Sequence, residues 1–100
     1  MVKHVILWTL KKELSAKEKE DIKQGIKEGL EGLMGNIPGL ISISVNINGL
    51  PTSNCDLMLD SSFESAEALN SYSANPLHVA VANEKVRPFT ESRVCLDYEV

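Results

Sequence analysis

The sequence lacks the features of a membrane or nucleic-acid-binding protein. No apolar run approaches the roughly 20 residues that a helix needs to cross a bilayer, and the opening MVKHVILWTLKK has no small-residue cleavage site of a signal peptide. The net charge is −4 at neutral pH, and acidic side chains interrupt the basic stretch KEKEDIKQGIK. Such a chain has no positive stripe that would neutralise a phosphate backbone. We therefore expect a cytoplasmic protein that binds neither membranes nor nucleic acid.

Sequence signals for metals and cofactors are also missing. Cys55 and Cys95 are the only cysteines, and neither belongs to a CxxC or CxxxH motif. A reducing cytoplasm disfavours a disulfide between them. The glycine-containing loop NINGLPTSN lacks the GKS or GKT element of a phosphate-binding loop. We expect no metal and no cofactor.

What is present is the pattern of one α+β domain spanning residues 1–100. Apolar periodicity predicts strands over residues 3–10, 40–48, 55–63 and 91–100. One helix begins after Ser15, which forms a capping box with Glu18, and a second helical segment is split at Asn75-Pro76. The order β-α-β-β-α-β is the ferredoxin-like plan. Right-handed crossovers then give an antiparallel four-stranded sheet of order 4-1-3-2.

The first strand is apolar on both sides, which is typical of a central strand. One side carries His4, Ile6 and Trp8, and the other carries Val5 and Leu7. The second strand alternates strictly, with one side predicted to be buried. That side consists of Ile41, Ile43, Val45 and Ile47.

Two helical layers cover only one face of a four-stranded sheet, so the other face is predicted to be open. We expect Val5, Leu7 and Met58 at its centre. The rim of this face is predicted to be polar and to consist of Ser42, Ser44, Asp56, Asp60, Arg93, Cys95 and Asp97. An apolar centre with a polar rim suits self-association, and a two-fold dimer would cover it. The alternative is a monomer that tolerates an open face.

The stretch SYSANPLHVA contains the candidate site. Asn75 is a predicted N-cap and Pro76 a first helical residue, so His78 falls in the first turn, where the helix dipole should lower its pKa. A neutral imidazole can act as a general base, and the Tyr72 phenol can stabilise an enolate. His4 could orient these two side chains or relay a proton. The alternative is that these side chains only satisfy backbone groups at an irregular corner.

Three glycines in the first helix, Gly25, Gly29 and Gly32, lie beside its apolar stripe. Each interior glycine costs about 0.5–1 kcal/mol of helix stability relative to alanine. They indicate either close approach of another element or open space for a ligand. Trp8 and Ile6 face the same layer and could line such a pocket with Gly29.

Four segments resemble the stress-responsive A/B barrel (Dabb) family, and together they span nearly the whole chain. They are VKHVILWTLK, GLEGLMGNIPGL, FESAEALNSYSANPLHV and RVCLDYEV. The resemblance implies a dimeric α/β barrel, in which the sheets of a homodimer pack together through their open faces. Most members of the family have no known activity.

One branch, the plant polyketide cyclases, is similar at three positions. The resemblance implies a cofactor-free site of His78, Tyr72 and His4. The first helix, however, reads KQGIKEGL and lacks the tyrosine that lines the pocket in those enzymes. We therefore expect a protein of unassigned activity with a pocket between sheet and helices for a small hydrophobic or aromatic ligand. The alternatives are a cyclase-like or isomerase enzyme and a purely structural assembly.

Overall fold

The four strands form one antiparallel sheet in the computed structural model, which describes residues 1–100. The strands are β1 (Val2–Leu10), β2 (Leu40–Asn46), β3 (Leu57–Phe63) and β4 (Thr90–Glu99), and their order across the sheet is β2-β3-β1-β4. The helices are α1 (Ala16–Glu31), α2 (Ala66–Ala74) and α3 (Pro76–Val81), followed by a π-helical turn at Ala82–Val86. The predicted ferredoxin-like fold and strand order are confirmed. None of the helices has the length and apolar character of a membrane span, and the cytoplasmic location stays a prediction.

The helix boundaries follow the local signals in the sequence. The Ser15 hydroxyl accepts a hydrogen bond from the Glu18 backbone N–H, and the Glu18 carboxylate accepts one from the Ser15 N–H. The Asn75 side chain accepts from the Leu77 N–H, and Pro76 is the first residue of α3. Both predicted caps are therefore confirmed. Each satisfies backbone donors that a helix leaves without partners.

The hydrophobic core lies between α1, α2 and the helix-covered face of the sheet. Even-numbered residues of β1 are buried and its odd-numbered residues are only half-buried. The core includes Ile6, Trp8, Ile26, Leu30, Leu59, Phe63 and Tyr72. The central position predicted for β1 is confirmed, since β3 and β4 pair with its two edges.

The prediction for β4 was wrong about which face its residues occupy. Val94 lies opposite Leu7 and Leu96 lies opposite Val5 in the β1–β4 register. Because directly opposed residues point to the same face, these apolar side chains belong to the open face with Tyr98. Arg93, Cys95 and Asp97 therefore face the helix side rather than the open rim. Alternation along one strand shows which residues share a face, but only the register shows which face it is.

One residue of β2 also departs from its predicted orientation. Leu40 pairs with Phe63 and Ser42 pairs with Ser62, so Ile41 is the extra residue of a β-bulge. Its side chain is 42% exposed. Val45 is buried as predicted, since the normal alternation resumes after the bulge.

Candidate functional site

The structure brings together the three residues predicted to form an acid–base site. The Tyr72 ring centroid lies 4.1 Å from that of His78 and 6.1 Å from that of His4. Phe63 closes the cluster from the core side, with its centroid 4.9 Å from that of Tyr72. Tyr72 and His4 are buried, and His78 is half-buried. We call these four residues the aromatic cluster.

The corner between α2 and α3 produces the contact between Tyr72 and His78. Tyr72 lies in the last turn of α2, and its carbonyl accepts a hydrogen bond from the Asn75 N–H. Asn75 then caps α3, which begins at Pro76. A residue before proline is disfavoured in the helical conformation, and Asn75 is extended, with ψ of 129°. The chain therefore turns at this point and aligns the two rings.

Burial keeps the phenol protonated and the imidazole neutral. It raises the pKa of Tyr72 to about 12, and the nearby charge of Arg93 opposes this only partly. Burial also lowers the pKa of His78; the Ser73 backbone opposes the shift, and the charge of Arg87 adds to it. The predicted direction for His78 is confirmed, although burial rather than the helix dipole is its main cause. The Tyr72 hydroxyl and the His78 Nδ1 are both buried, and neither makes a hydrogen bond of normal geometry; the Ser73 backbone lies near the His78 ring but forms no such bond.

His4 has a carboxylate partner that the sequence analysis missed. Its Nδ1 lies 2.5 Å from Oδ1 of Asp97. A carboxylate only accepts, so the His4 Nδ1–H donates to Asp97. The buried Ser61 hydroxyl also contacts His4 and donates a hydrogen bond to its backbone carbonyl at 2.9 Å. Only the strand register, which sets His4 opposite Asp97, could have revealed this pair.

The same edge of the site holds three side chains that could ligate a metal ion, and no sequence motif indicates them. One ligand atom each from His4, Cys95 and Asp97 lies within 4.8 Å of the others. An imidazole, a thiolate and a carboxylate suit a zinc-like ion. Burial, followed by the Asp97 charge, raises the pKa of the Cys95 thiol. A raised pKa lowers the thiolate fraction of the free thiol and therefore its nucleophilic reactivity.

A cavity of about 100 Å³ adjoins His78 between β4 and the π-helical turn. Its lining consists of Trp8, His78, Ala82, Val86, Arg87, Thr90 and Arg93. Of the residues predicted to line a pocket, Trp8 borders it, whereas Ile6 and Gly29 do not. A Cβ at Gly29 would lie 3.0 Å from Val81 Cγ1, so this glycine permits close packing of α1 against α3. Neither Tyr72 nor His4 borders the cavity, so His78 is the only one of the three predicted acid–base residues that does.

The open face of the sheet carries a second, entirely apolar concavity of about 420 Å³. Its lining consists of Val5, Leu7, Val94, Leu96 and Tyr98. Val94 is 62% exposed and Leu96 is 64% exposed. A contiguous apolar patch of this kind is typical of an interaction surface.

Comparisons with known proteins place these features in a family context. The model of the stress responsive A/B barrel domain matches residues 2–100. A dimeric protein of unknown function and ferredoxin-like fold from Bacteroides fragilis is 31% identical, with a TM-score of 0.92 over 99% of this chain and 95% of that one. No curated protein matches the sequence.

Two further solved structures share the fold at lower identity. A Dabb family protein from Mesorhizobium loti is 20% identical, with a TM-score of 0.75 over 99% of this chain and 95% of that one. A dimeric ferredoxin-like protein of unknown function from Thermobifida fusca is 18% identical, with a TM-score of 0.78 over 99% of this chain and 90% of that one. The structures with similar folds thus include dimers with no assigned activity.

Proposed function

Because the chain belongs to the stress responsive A/B barrel domain family, we propose that it acts as a homodimer with a small-molecule site on the helix-covered face of each sheet. The observation that carries the proposal is the His78 ring, which borders a cavity and lies 4.1 Å from the ring of Tyr72. The buried Nδ1 of His78 makes no hydrogen bond of normal geometry within the protein. A buried polar group without a partner costs about 1–3 kcal/mol, and a ligand that satisfies it offsets that cost.

The open face supports the dimer. Leu96 and Val94 project there beside Val5 and Leu7, and a single chain leaves them in water. Apolar burial contributes about 25 cal/mol per Å², so packing two such faces together stabilises an assembly. The Bacteroides fragilis protein, 31% identical, is described as dimeric. A two-fold arrangement would set the same patch against itself.

The oligomeric state tests this part of the proposal. We expect light scattering to give a dimer for the native protein and a monomer for Leu96→Glu, because the substitution would bury a charge at the centre of the interface. Leu50→Glu is the matched control, since Leu50 is 74% exposed in a loop outside the apolar patch. A native monomer, or a Leu96→Glu protein that remains dimeric, would contradict the proposed interface.

A ligand screen tests the site itself. Trp8 borders the cavity and is the only tryptophan, so its fluorescence should respond to a panel of small phenols and ketones. We expect His78→Ala to weaken binding of any hit about tenfold while circular dichroism and the dimer are unchanged. Leu77→Ala, a change at an exposed position of the same helix, should bind like the native protein. Equal affinity in both variants would argue against His78 as a ligand contact.

Proton transfer is a second candidate function, and the position of His78 at the cavity favours it. A neutral imidazole accepts a proton, and Tyr72, which does not border the cavity, contributes through its ring contact with His78. This is the chemistry of a cofactor-independent cyclase or isomerase.

Deuterium exchange into a simple β-diketone, 2,4-pentanedione, provides the test. We expect exchange to be faster with the native protein than with buffer at the same pH. Exchange should fall about 100-fold or more in His78→Gln, since a positioned general base contributes about 10²–10⁴. Tyr72→Phe should also slow it. Equal exchange rates in the native protein and both variants would exclude the proton-transfer function and leave ligand binding as the only proposed function.

A further inference from the structure

Both arginines of the chain, Arg87 and Arg93, border the cavity beside His78. We propose that this cavity binds the carboxylate group of a small organic anion. The inference rests on the proposed small-molecule site and names the class of its ligand. It depends on three features of the cavity, which are two arginines that form no ion pair, the elements that position these arginines, and an amphipathic lining.

Neither arginine at the cavity forms an ion pair within the protein. The ion pairs of the structure all involve lysines or His4, and none involves an arginine. No acidic residue lines the cavity. The Arg87 guanidinium donates a hydrogen bond to the neutral Asn83 side chain, and the Arg93 guanidinium lies beside the Cys95 thiol. In a chain of net charge −4, two unpaired guanidinium groups at one cavity make a local positive site, and a guanidinium fork matches a carboxylate in two parallel hydrogen bonds.

The two arginines come from different elements: Arg87 follows the π-helical turn, and Arg93 lies on the edge strand β4. The Arg87 N–H donates to the Ala82 carbonyl at 2.8 Å, which closes the π-helical turn. This wider turn carries Ala82, Val86 and Arg87 to the same cavity; π-helical turns are frequent at functional sites. Arg93 comes from β4, where it lies opposite Trp8 and therefore on the helix side of the sheet.

The lining also favours an anion with a short apolar body. Trp8, Ala82 and Val86 supply the apolar walls, and Thr90 adds a hydroxyl group to the two guanidinium groups. The cavity volume of about 100 Å³ suits a carboxylate group with a few carbon atoms attached. Inorganic phosphate also presents negative charge to the arginines but leaves the apolar walls uncovered, so we expect it to bind less tightly.

Titration of the full-length dimer with butyrate and butyramide tests the charge requirement. The two probes have the same carbon skeleton, and only butyrate is an anion. Trp8 emission and the backbone amide shift of Thr90 in NMR spectra report on binding. We expect butyrate to bind at least tenfold more tightly than butyramide and more tightly than inorganic phosphate.

Variants of matched charge connect this selectivity to the arginines. Arg93→Gln and Arg87→Gln should each weaken butyrate binding about five- to tenfold and leave butyramide binding unchanged. Lys12→Gln removes the same charge at an exposed position that does not line the cavity and should bind butyrate like the native protein.

Three results would overturn the inference. Equal binding of butyrate and butyramide would remove the charge requirement but keep the proposed small-molecule site. Phosphate binding as tight as butyrate binding would remove the carboxylate assignment. The absence of any response to all three probes, together with no hit in the phenol and ketone screen, would overturn the proposed site as well.

Discussion

The two faces of the sheet differ in how completely a single chain covers them. On the helix-covered face, Phe63 and Tyr72 are 0% and 1% exposed. On the open face, Leu96 is 64% exposed although it belongs to the same sheet. Strand β4 contributes to both, with Asp97 turned toward His4 and Leu96 turned toward Val5. One chain therefore completes its core on one side only, and the other side leaves an apolar surface exposed.

This difference predicts that apolar truncations will affect folding on one face and association on the other. Phe63→Ala should lower the free energy of unfolding by about 3–5 kcal/mol, because it leaves a cavity in the core. Val94→Ala, at a site that is 62% exposed, should change it by less than about 0.5 kcal/mol. Urea denaturation in a monomeric Leu96→Glu background measures both without a contribution from dimerisation.

The comparison fails if Val94→Ala destabilises the monomer as much as Phe63→Ala does. That result would mean that the open face is covered by the same chain in solution. A large effect of Val94→Ala in the native dimer alone would strengthen the assignment, since the same side chain would then be buried only after association.

Titration of Tyr72 gives the second largest expected effect and tests whether water reaches the helix-covered face. Its pKa is raised from 10.0 to about 12, so the folded state holds the proton more tightly than the unfolded state. The associated stability is fully present below pH 10 and is lost as the pH rises from about 10 to about 12; two pKa units correspond to about 2–3 kcal/mol. In a Tyr98→Phe protein, ultraviolet absorbance follows Tyr72 alone, because the chain has two tyrosines. A midpoint near 10 would show that water reaches the phenol.

A smaller pH effect is expected from His78 at the edge of the covered face. Its pKa is lowered from 6.5, chiefly by burial and further by Arg87, His4 and Arg93. The folded state therefore binds the proton less readily than the unfolded state. Stability should be maintained above about pH 6.5 and should fall as the pH decreases through 6.5 toward the lower folded value.

Comparison of the native protein with His78→Gln over this pH range measures the contribution of His78. The variant should show a shallower loss of stability on acidification, since glutamine does not titrate. Identical slopes would mean that His78 is as accessible to protons in the folded state as in the unfolded state, which would contradict its lowered pKa.

Much of the fold was predictable because its signals are local. The Ser15–Glu18 capping box and the Asn75-Pro76 corner depend on residues within four positions of one another, and both were confirmed. The family resemblance and the strand order were confirmed as well. Proximity of Tyr72 to His78 also follows from that local corner.

The errors involve information that lies outside any single segment. The bulge at Ile41 and the facing of β4 are set by register with a neighbouring strand. Asp97 was assigned to the wrong face for this reason, and its contact with His4, 93 residues away in sequence, was missed. Arg87 and Arg93 carried no motif, because the sequence did not show that the π-helical turn and β4 meet at one cavity.

The glycines of α1 provide the smallest and most local test of how the covered face is filled. A Cβ at Gly29 would lie 3.0 Å from Val81 Cγ1, whereas a Cβ at Gly25 would meet only the flexible Lys85 side chain, at 4.0 Å. Gly25→Ala should therefore raise the free energy of unfolding by about 0.5–1 kcal/mol, the difference in helix propensity. At Gly29, crowding against Val81 should cancel that gain or reverse it.

Thermal and urea denaturation of both single variants, with Gly29→Ala repeated in a Val81→Ala background, measure the effect. The second background removes the methyl groups that the new Cβ would meet, so the gain from alanine at position 29 should reappear there. A stabilising Gly29→Ala in the native background would mean that space remains between α1 and α3. The alternative reading of the glycines, as room left for a ligand, would then regain support, and the binding site would extend along α1 beyond the cavity at His78.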